Sequence, residues 1–323
     1  MEKTYFYVGD RPHAVWDPDI REKNVRFLKG FDTKYFEYLA DVHYAQMDTE
    51  AAQQAATALR TSYGLALETF FSLLGAALQA PNCVFGWLFK YKPTDLELVI
   101  KGIMGLEMLK TRFLGCLSWE SLSRTVHLNL VLADKNKEHE IKTRFAKLWE
   151  YLAKEYLDVE LRNEFNSTKH GLRLQPGGIH VAIGLQERPD VPAPPERMNS
   201  LGGSHYGSTV LKLEHIGKLK LDYRILENSR NWDLTCLTGR IRMISMSIGN
   251  VISFLLIQNG QDPTQARFVW PEDLEDFDKI WEPGYGLHGG TFGFRITEED
   301  ICPTKAKDIE KSYSGEKMDS EGD

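Results

Sequence analysis

The segment ELRNEFNSTKHGLRL, residues 160–174, collects polar side chains with catalytic chemistry on one predicted helix. From Phe145 onward, apolar residues of this helix repeat at alternating steps of four and three. The same spacing continues through Asn163, Asn166 and His170. Such a repeat marks one face of a helix. The sequence therefore predicts a face that is apolar for most of its length and polar at its end.

These polar side chains suit a phosphate group and a proton transfer. Arg162 offers a planar set of hydrogen-bond donors for a phosphate, and it would stabilise developing negative charge there. A histidine ordinarily titrates near neutrality, so His170 could take the proton of a ribose 2′-hydroxyl. We predict Arg162 and His170 as the catalytic residues of metal-independent RNA cleavage. Asn163, Asn166 and Lys169 are predicted to position the substrate.

Structural roles compete with this interpretation. Lys169 and His170 precede Gly171 at the expected C-terminus of the helix, where positive charge complements the helix dipole. Asn163 and Asn166 could instead fix the register of packed helices, as isolated core amides do. The residue pattern leaves both alternatives open.

The stretch RNEFNSTKHG, on the late helix of a predicted bundle, resembles the signature of the HEPN superfamily. That signature has an Arg, then a polar residue that is usually Asn, and a His shortly afterwards. The resemblance implies a helical bundle, commonly a homodimer, and in many members a metal-independent ribonuclease of toxin–antitoxin or antiphage defence systems. It implies Arg162 and His170 as the catalytic pair and Asn163 as the polar neighbour. Seven residues lie between Arg162 and His170, more than is usual in the family.

Helical patterns dominate the chain, and we predict a mainly α fold, an up-and-down helical bundle with a small β insertion before the last long helix. The longest helix is predicted to end at Gly171 with a left-handed C-cap. The last long helix is predicted over residues 234–258, since its apolar residues also repeat at steps of four and three. The insertion, at about 175–230, includes a hairpin made by TVLKLE and LKLDYRIL.

The predicted organisation has four parts. They are an irregular N-terminal arm at 1–31, the HEPN-like bundle with its insertion at 32–260, a C-terminal extension packed on the bundle at 261–302, and a disordered charged tail at 303–323. The tail has almost nothing apolar to bury. The glycine-rich loop GYGLHGG at 284–290 is interpreted as a structural turn rather than the cover of a cleft.

Composition limits the classes of function. The 323 residues have a net charge of −7, which argues against indiscriminate nucleic-acid binding but allows a local basic pocket. Four cysteines are too widely spaced for a metal site, so we expect reduced thiols, no metal and no cofactor. The N-terminus lacks the apolar run of a signal peptide, and no stretch has the uninterrupted apolar length of a membrane span. We therefore expect a cytoplasmic protein without membrane association.

Three hypotheses follow for the function. The first is a HEPN-like endoribonuclease that binds RNA and forms a homodimer. The second is a non-catalytic helical module that dimerises or binds a partner protein through the same face. The third is a nucleotide-binding sensor that uses the Arg and His without cleavage.

Overall fold

A computed structural model of the chain describes residues 3–113, 115–186, 188, 191, 193–217, 221–282, 288–293, 296 and 302–314. The chain is 52% helical and 16% strand, and its described residues form eight strands in three sheets. The prediction of a mainly α bundle is therefore wrong, and the fold is mixed α/β. The chain divides into two compact units. The first unit comprises residues 1–165 and 233–284, and the second comprises residues 166–232 and 285–323.

The first unit is mostly helical. Its helices are α1 (Ile20–Lys29), α2 (Tyr35–Tyr44), α3 (Ala52–Gln79), α4 (Val84–Lys90), α5 (Pro93–Ile103), α6 (Trp119–Val126), α7 (Lys135–Leu157), α8 (Val159–Lys169, which belongs to this unit as far as Phe165), α9 (Leu234–Gln258) and α10 (Asp276–Lys279). The long helices α3 and α9 pack against each other, and α2 packs against both. Phe70 and Leu74 of α3 and Ile244 and Ile248 of α9 are fully buried, so these two helices form the core.

Helix α9 confirms the prediction for residues 234–258. Asp233 caps its start by accepting the Cys236 N–H, and Gly260 follows its end with a φ of +91°. Among the described residues, α9 alone is long and apolar enough to cross a membrane, with a mean hydropathy of 1.5. Since 67% of that stretch is buried inside the protein, its apolar character is that of a core helix.

The N-terminal arm is not irregular. Strands β1 (Lys3–Val8) and β2 (Arg11–Trp16) form an antiparallel hairpin, and α1 follows it. Phe6 and Val8 point into the protein, while Tyr5 and Tyr7 alternate with them on the exposed face. Because both faces carry large apolar side chains, the alternation of polar and apolar residues that marks a strand is absent here.

The second unit contains two sheets. Its strands are β3 (Gln175–Pro176), β4 (His180–Ile183), β5 (Asn199–Gly203), β6 (Gly207–His215), β7 (Tyr223–Asn231) and β8 (Gly289–Phe292). Strands β3-β6-β7-β8 form one antiparallel sheet in that order, and β4 pairs with β5 in the other. The antiparallel pairing of β6 with β7 confirms the predicted hairpin. Strand β8 comes from the predicted C-terminal extension, which therefore contributes a strand to the inserted sheet.

The predicted C-terminal tail is partly helical. Ala306–Ser314 form helix α11 of the second unit, and residues 315–323 lie outside the described residues. The predicted loop at 284–290 is described only from residue 288, and Gly289 and Gly290 begin β8. Residues 284–287 of that loop also lie outside the described residues.

Candidate functional site

The long helix that was predicted to end at Gly171 is two helices. Helix α7 ends at Leu157, and Asp158 adopts an extended backbone with a ψ of 118° before α8 begins. The Asp158 carboxylate accepts the N–H groups of Glu160 at 2.8 Å and Leu161 at 3.1 Å, which caps α8. An extended residue interrupts the helical rotation. The polar residues of α8 therefore do not continue the apolar face of α7.

Arg162 and Asn163 lie on α8 within the first unit and are half-buried. The Arg162 Nη1 donates a hydrogen bond to the carboxylate of Glu97 on α5. The two side chains keep 30% and 25% of their surface exposed, so the ion pair is shielded but reachable by solvent. A guanidinium has five N–H donors, and this contact occupies only part of that set.

Glutamate and tyrosine side chains lie on the side of α8 that carries Arg162. Burial raises the pKa of Tyr156 above its usual range, and the negative charges of Glu68 and Glu97 raise it further, while Arg162 opposes them. Burial and the neighbouring Glu68 also raise the pKa of Tyr91 to about 12, and the Tyr91 hydroxyl donates to Glu68 at 3.3 Å. Two carboxylates thus accompany one guanidinium, which weakens the attraction of Arg162 for a phosphate.

Asn166, Lys169 and His170 lie in the second unit, at the end of α8, and all three are exposed. The His170 N–H donates to the Asn166 carbonyl at 3.0 Å, which continues the helix by one residue. Gly171 then has a φ of +99°, which confirms the predicted left-handed C-cap. The predicted residues therefore divide between the units, with Arg162 and Asn163 in the first.

The first unit contains a buried ionic cluster that the residue pattern did not predict. Arg60 donates to one oxygen of Glu164, from Nη2 at 2.7 Å and from Nε at 3.3 Å. Glu155 accepts the hydroxyl of Tyr63 on one carboxylate oxygen and the Arg240 Nη1, at 2.7 Å, on the other. Burial, and then the charge of Glu155, raise the pKa of Tyr63 well above its usual value, so its hydroxyl stays protonated and donates.

The cluster gives only a weak signal in the sequence. Arg60 and Tyr63 lie one turn apart on α3, and their acidic partners are distant along the chain. Each charged group has a hydrogen-bonded partner of opposite charge, which is what burial of a charge requires. The cluster therefore has the character of a structural network.

His127 is a fully buried histidine of the first unit. Its Nδ1 donates to the Ser123 carbonyl at 2.8 Å, and its Nε2 accepts from the Asn250 amide at 3.1 Å. Both ring nitrogens therefore have hydrogen-bond partners. Burial lowers its pKa to about 4, so the ring is neutral at physiological pH.

A pocket of about 540 Å³ lies in the first unit, with Met243 and Met246 of α9 in its lining. Two cations, Arg242 and Lys279, also line it. They are held at 2.7 Å by Asp41 and by Asp273 respectively. The volume is in the range of small-molecule sites, yet the cations already have acidic partners. The pocket therefore offers no strong charge selection for a ligand.

In the part of the chain that the structure describes, no group of three or more His, Cys, Asp or Glu is placed to hold a metal ion. The chain matches no protein-family model, no curated protein and no solved structure. The HEPN resemblance therefore stays a prediction, carried by RNEFNSTKHG.

Proposed function

We propose that the chain is a cytoplasmic HEPN-like protein that acts on RNA as a metal-independent endoribonuclease of a defence or toxin-type system. One observation supports this: the end of α8 presents Asn166, Lys169 and His170 to solvent. Side chains that served only to fix helix register would be buried against other helices. Exposed side chains are instead accessible to a phosphate backbone.

The proposed chemistry starts at the imidazole of His170. It accepts the proton of a ribose 2′-hydroxyl, and the 2′-oxygen attacks the adjacent phosphorus. The bond from phosphorus to the 5′-oxygen breaks, which gives a 2′,3′-cyclic phosphate and a 5′-hydroxyl. The leaving oxygen takes a proton from the imidazolium. Lys169 supplies positive charge beside the phosphate, and Asn166 orients it by hydrogen bonds.

The decisive experiment compares two histidine variants on RNA in the presence of EDTA. His170→Ala should lower the rate of cleavage by about 100-fold or more, the usual contribution of a general base. His139→Ala removes another exposed histidine, on α7, and should cleave like the parent. Since both side chains are exposed, both variants should keep the parent melting temperature. Equal cleavage by His170→Ala and the parent contradicts the proposal.

A second function is favoured by the ion pair of Arg162. Glu97 engages the guanidinium and Glu68 adds further negative charge nearby, so Arg162 is poorly suited to bind a phosphate. A non-catalytic module would dimerise or bind a partner protein, and it would not cleave RNA. It predicts intact RNA after incubation with the parent protein, together with a dimer or a co-purifying partner in sedimentation.

A further inference from the structure

The outer face of the β1–β2 hairpin carries three exposed aromatic side chains. Tyr5, Tyr7 and Trp16 keep 58%, 38% and 56% of their surface exposed. In the strand register Tyr5 faces Ala14, Tyr7 faces Pro12 and Trp16 faces Lys3, so all three rings are on the same side. We call these residues the aromatic face. Exposed rings at such density are unusual on a surface without a binding role.

The protein holds this face rigidly. On the opposite side of β1, Phe6 and Val8 are buried, and the strand packs on α3 and α4. The buried side chain of Gln79 accepts the Gly9 N–H at 2.9 Å and donates to the Gly9 carbonyl at 2.8 Å. The hairpin turn is thereby fixed to α3. A ligand that binds the aromatic face would meet a preorganised surface, with little loss of entropy in the protein.

Positive charges border the aromatic face. The Lys3 ammonium lies 4.0 Å from the centre of the Trp16 ring, and Arg112 Nη2 donates to the Tyr5 carbonyl at 2.8 Å. Neither Lys3 nor Arg112 forms an ion pair with a carboxylate among the residues that the structure describes. Asp10 lies in the turn, at the other end of the hairpin from Lys3. At the open end Asp17 follows Trp16, and its carboxylate is paired with Lys23. Lys3 and Arg112 therefore place two cations beside the rings, in a chain of net charge −7.

We propose that the aromatic face, with Lys3 and Arg112, binds a single-stranded segment of RNA. Bases stack on the rings, and phosphates lie near the two cations, which is how sequence-independent single-strand sites work. Alternate residues of a strand are about 7 Å apart, roughly twice the contact distance of carbon atoms, so each ring has room for its own base. A duplex hides its base faces and cannot stack in this way. This proposal rests on the proposed action on RNA and names the form of the substrate.

The test measures binding separately from cleavage. A fluorescent oligouridine with 2′-O-methyl groups has no free 2′-hydroxyl, so it binds without being cut. Its affinity for the full chain is measured by anisotropy. Tyr5→Ala and Trp16→Ala should each weaken binding by about tenfold, the usual effect of removing one stacking ring. Tyr5→Phe keeps the ring and should bind like the parent.

Three further comparisons separate stacking from general effects. Tyr38→Ala removes a tyrosine of α2 that is 63% exposed, and it should leave the affinity unchanged. Lys3→Gln should lower the slope of log affinity against log salt by about 0.7, the value for one phosphate contact with a single strand. A duplex of the same length should bind more weakly than the single strand.

The possible failures are distinguishable from one another. Parent-like binding by both Tyr5→Ala and Trp16→Ala, or a preference for the duplex, overturns the single-strand site. If these variants instead keep RNA affinity and lose self-association in sedimentation, the aromatic face is a protein interface and the proposal is wrong. A third outcome is that Tyr5→Ala and Trp16→Ala lose RNA binding while His170→Ala cleaves like the parent. That result supports the single-strand site and refutes only the nuclease mechanism.

Discussion

Lowering the pH should destabilise the folded protein through His127, because the fold requires the neutral form of this histidine. The Asn250 amide is oriented by the backbone of Val269, since its oxygen accepts the Val269 N–H at 2.8 Å and its nitrogen donates to the Val269 carbonyl at 2.9 Å. The amide nitrogen therefore faces the His127 Nε2 as a donor. A protonated ring would place two donors against each other, and the ring is also stacked on Phe145 and Trp149. The folded protein thus requires the neutral imidazole.

The cost of protonating this ring follows from its two pKa values. The pKa of His127 is 6.5 in an unfolded chain and about 4 in the folded protein. Because the folded pKa is the lower one, the stabilisation is fully present above pH 6.5 and is lost as pH falls towards 4. At about pH 4 the free energy of unfolding should have fallen by about 3 kcal/mol through this residue alone.

The measurement is urea unfolding of the parent and of His127→Gln between about pH 7 and pH 4. Glutamine has no charge to gain, and the carboxylates that titrate in this range contribute equally to both proteins. The variant should be less stable near neutrality because it lacks the stacked ring. Its disadvantage should shrink by about 3 kcal/mol on acidification. A constant difference between the parent and His127→Gln would refute the reasoning.

Two further predictions concern ion pairs of the first unit. Glu97→Gln keeps a hydrogen-bond acceptor for Arg162 but removes the opposing charge. If Arg162 contacts RNA, the KM for cleavage should fall. If the pair is only structural, the KM should stay unchanged and the free energy of unfolding should fall by about 1 kcal/mol. Arg60→Met removes the guanidinium that pairs with the buried carboxylate of Glu164, and it should lower the free energy of unfolding by about 3–5 kcal/mol. The double variant Arg60→Met/Glu164→Leu should recover part of that loss, measured by urea unfolding. A double variant whose loss of unfolding free energy equals the sum of the two single losses contradicts this account.

Local periodicity determined the elements that the sequence predicted well. Residues 234–258 carry an apolar face at helical spacing between a capping Asp233 and Gly260, and the structure has α9 over those residues. The strands β6 and β7 are adjacent in sequence and alternate apolar with polar residues, so their pairing was also predicted. In both cases the residue pattern that predicts the element lies within one helix or one hairpin.

Other features were hidden because local spacing is compatible with more than one structure. The steps of four and three run through Asp158 without a change, although that residue ends α7 and caps α8. An aspartate at such a position can lie inside a helix or cap the next one, and packing of the surrounding chain decides which. For this reason the polar end of the predicted helix does not continue the apolar face of α7.

Tertiary structure alone decided which distant groups meet. The partners Arg60 and Glu164 are 104 residues apart, and Arg162 is paired with a glutamate 65 residues earlier. Strand β8 pairs with β7 although the whole of α9 lies between them in the sequence. The sequence determined which stretches could bury an apolar face, because that depends on neighbouring residues. It could not determine which charge would neutralise which, because that free energy exists only once separate segments have been brought into contact.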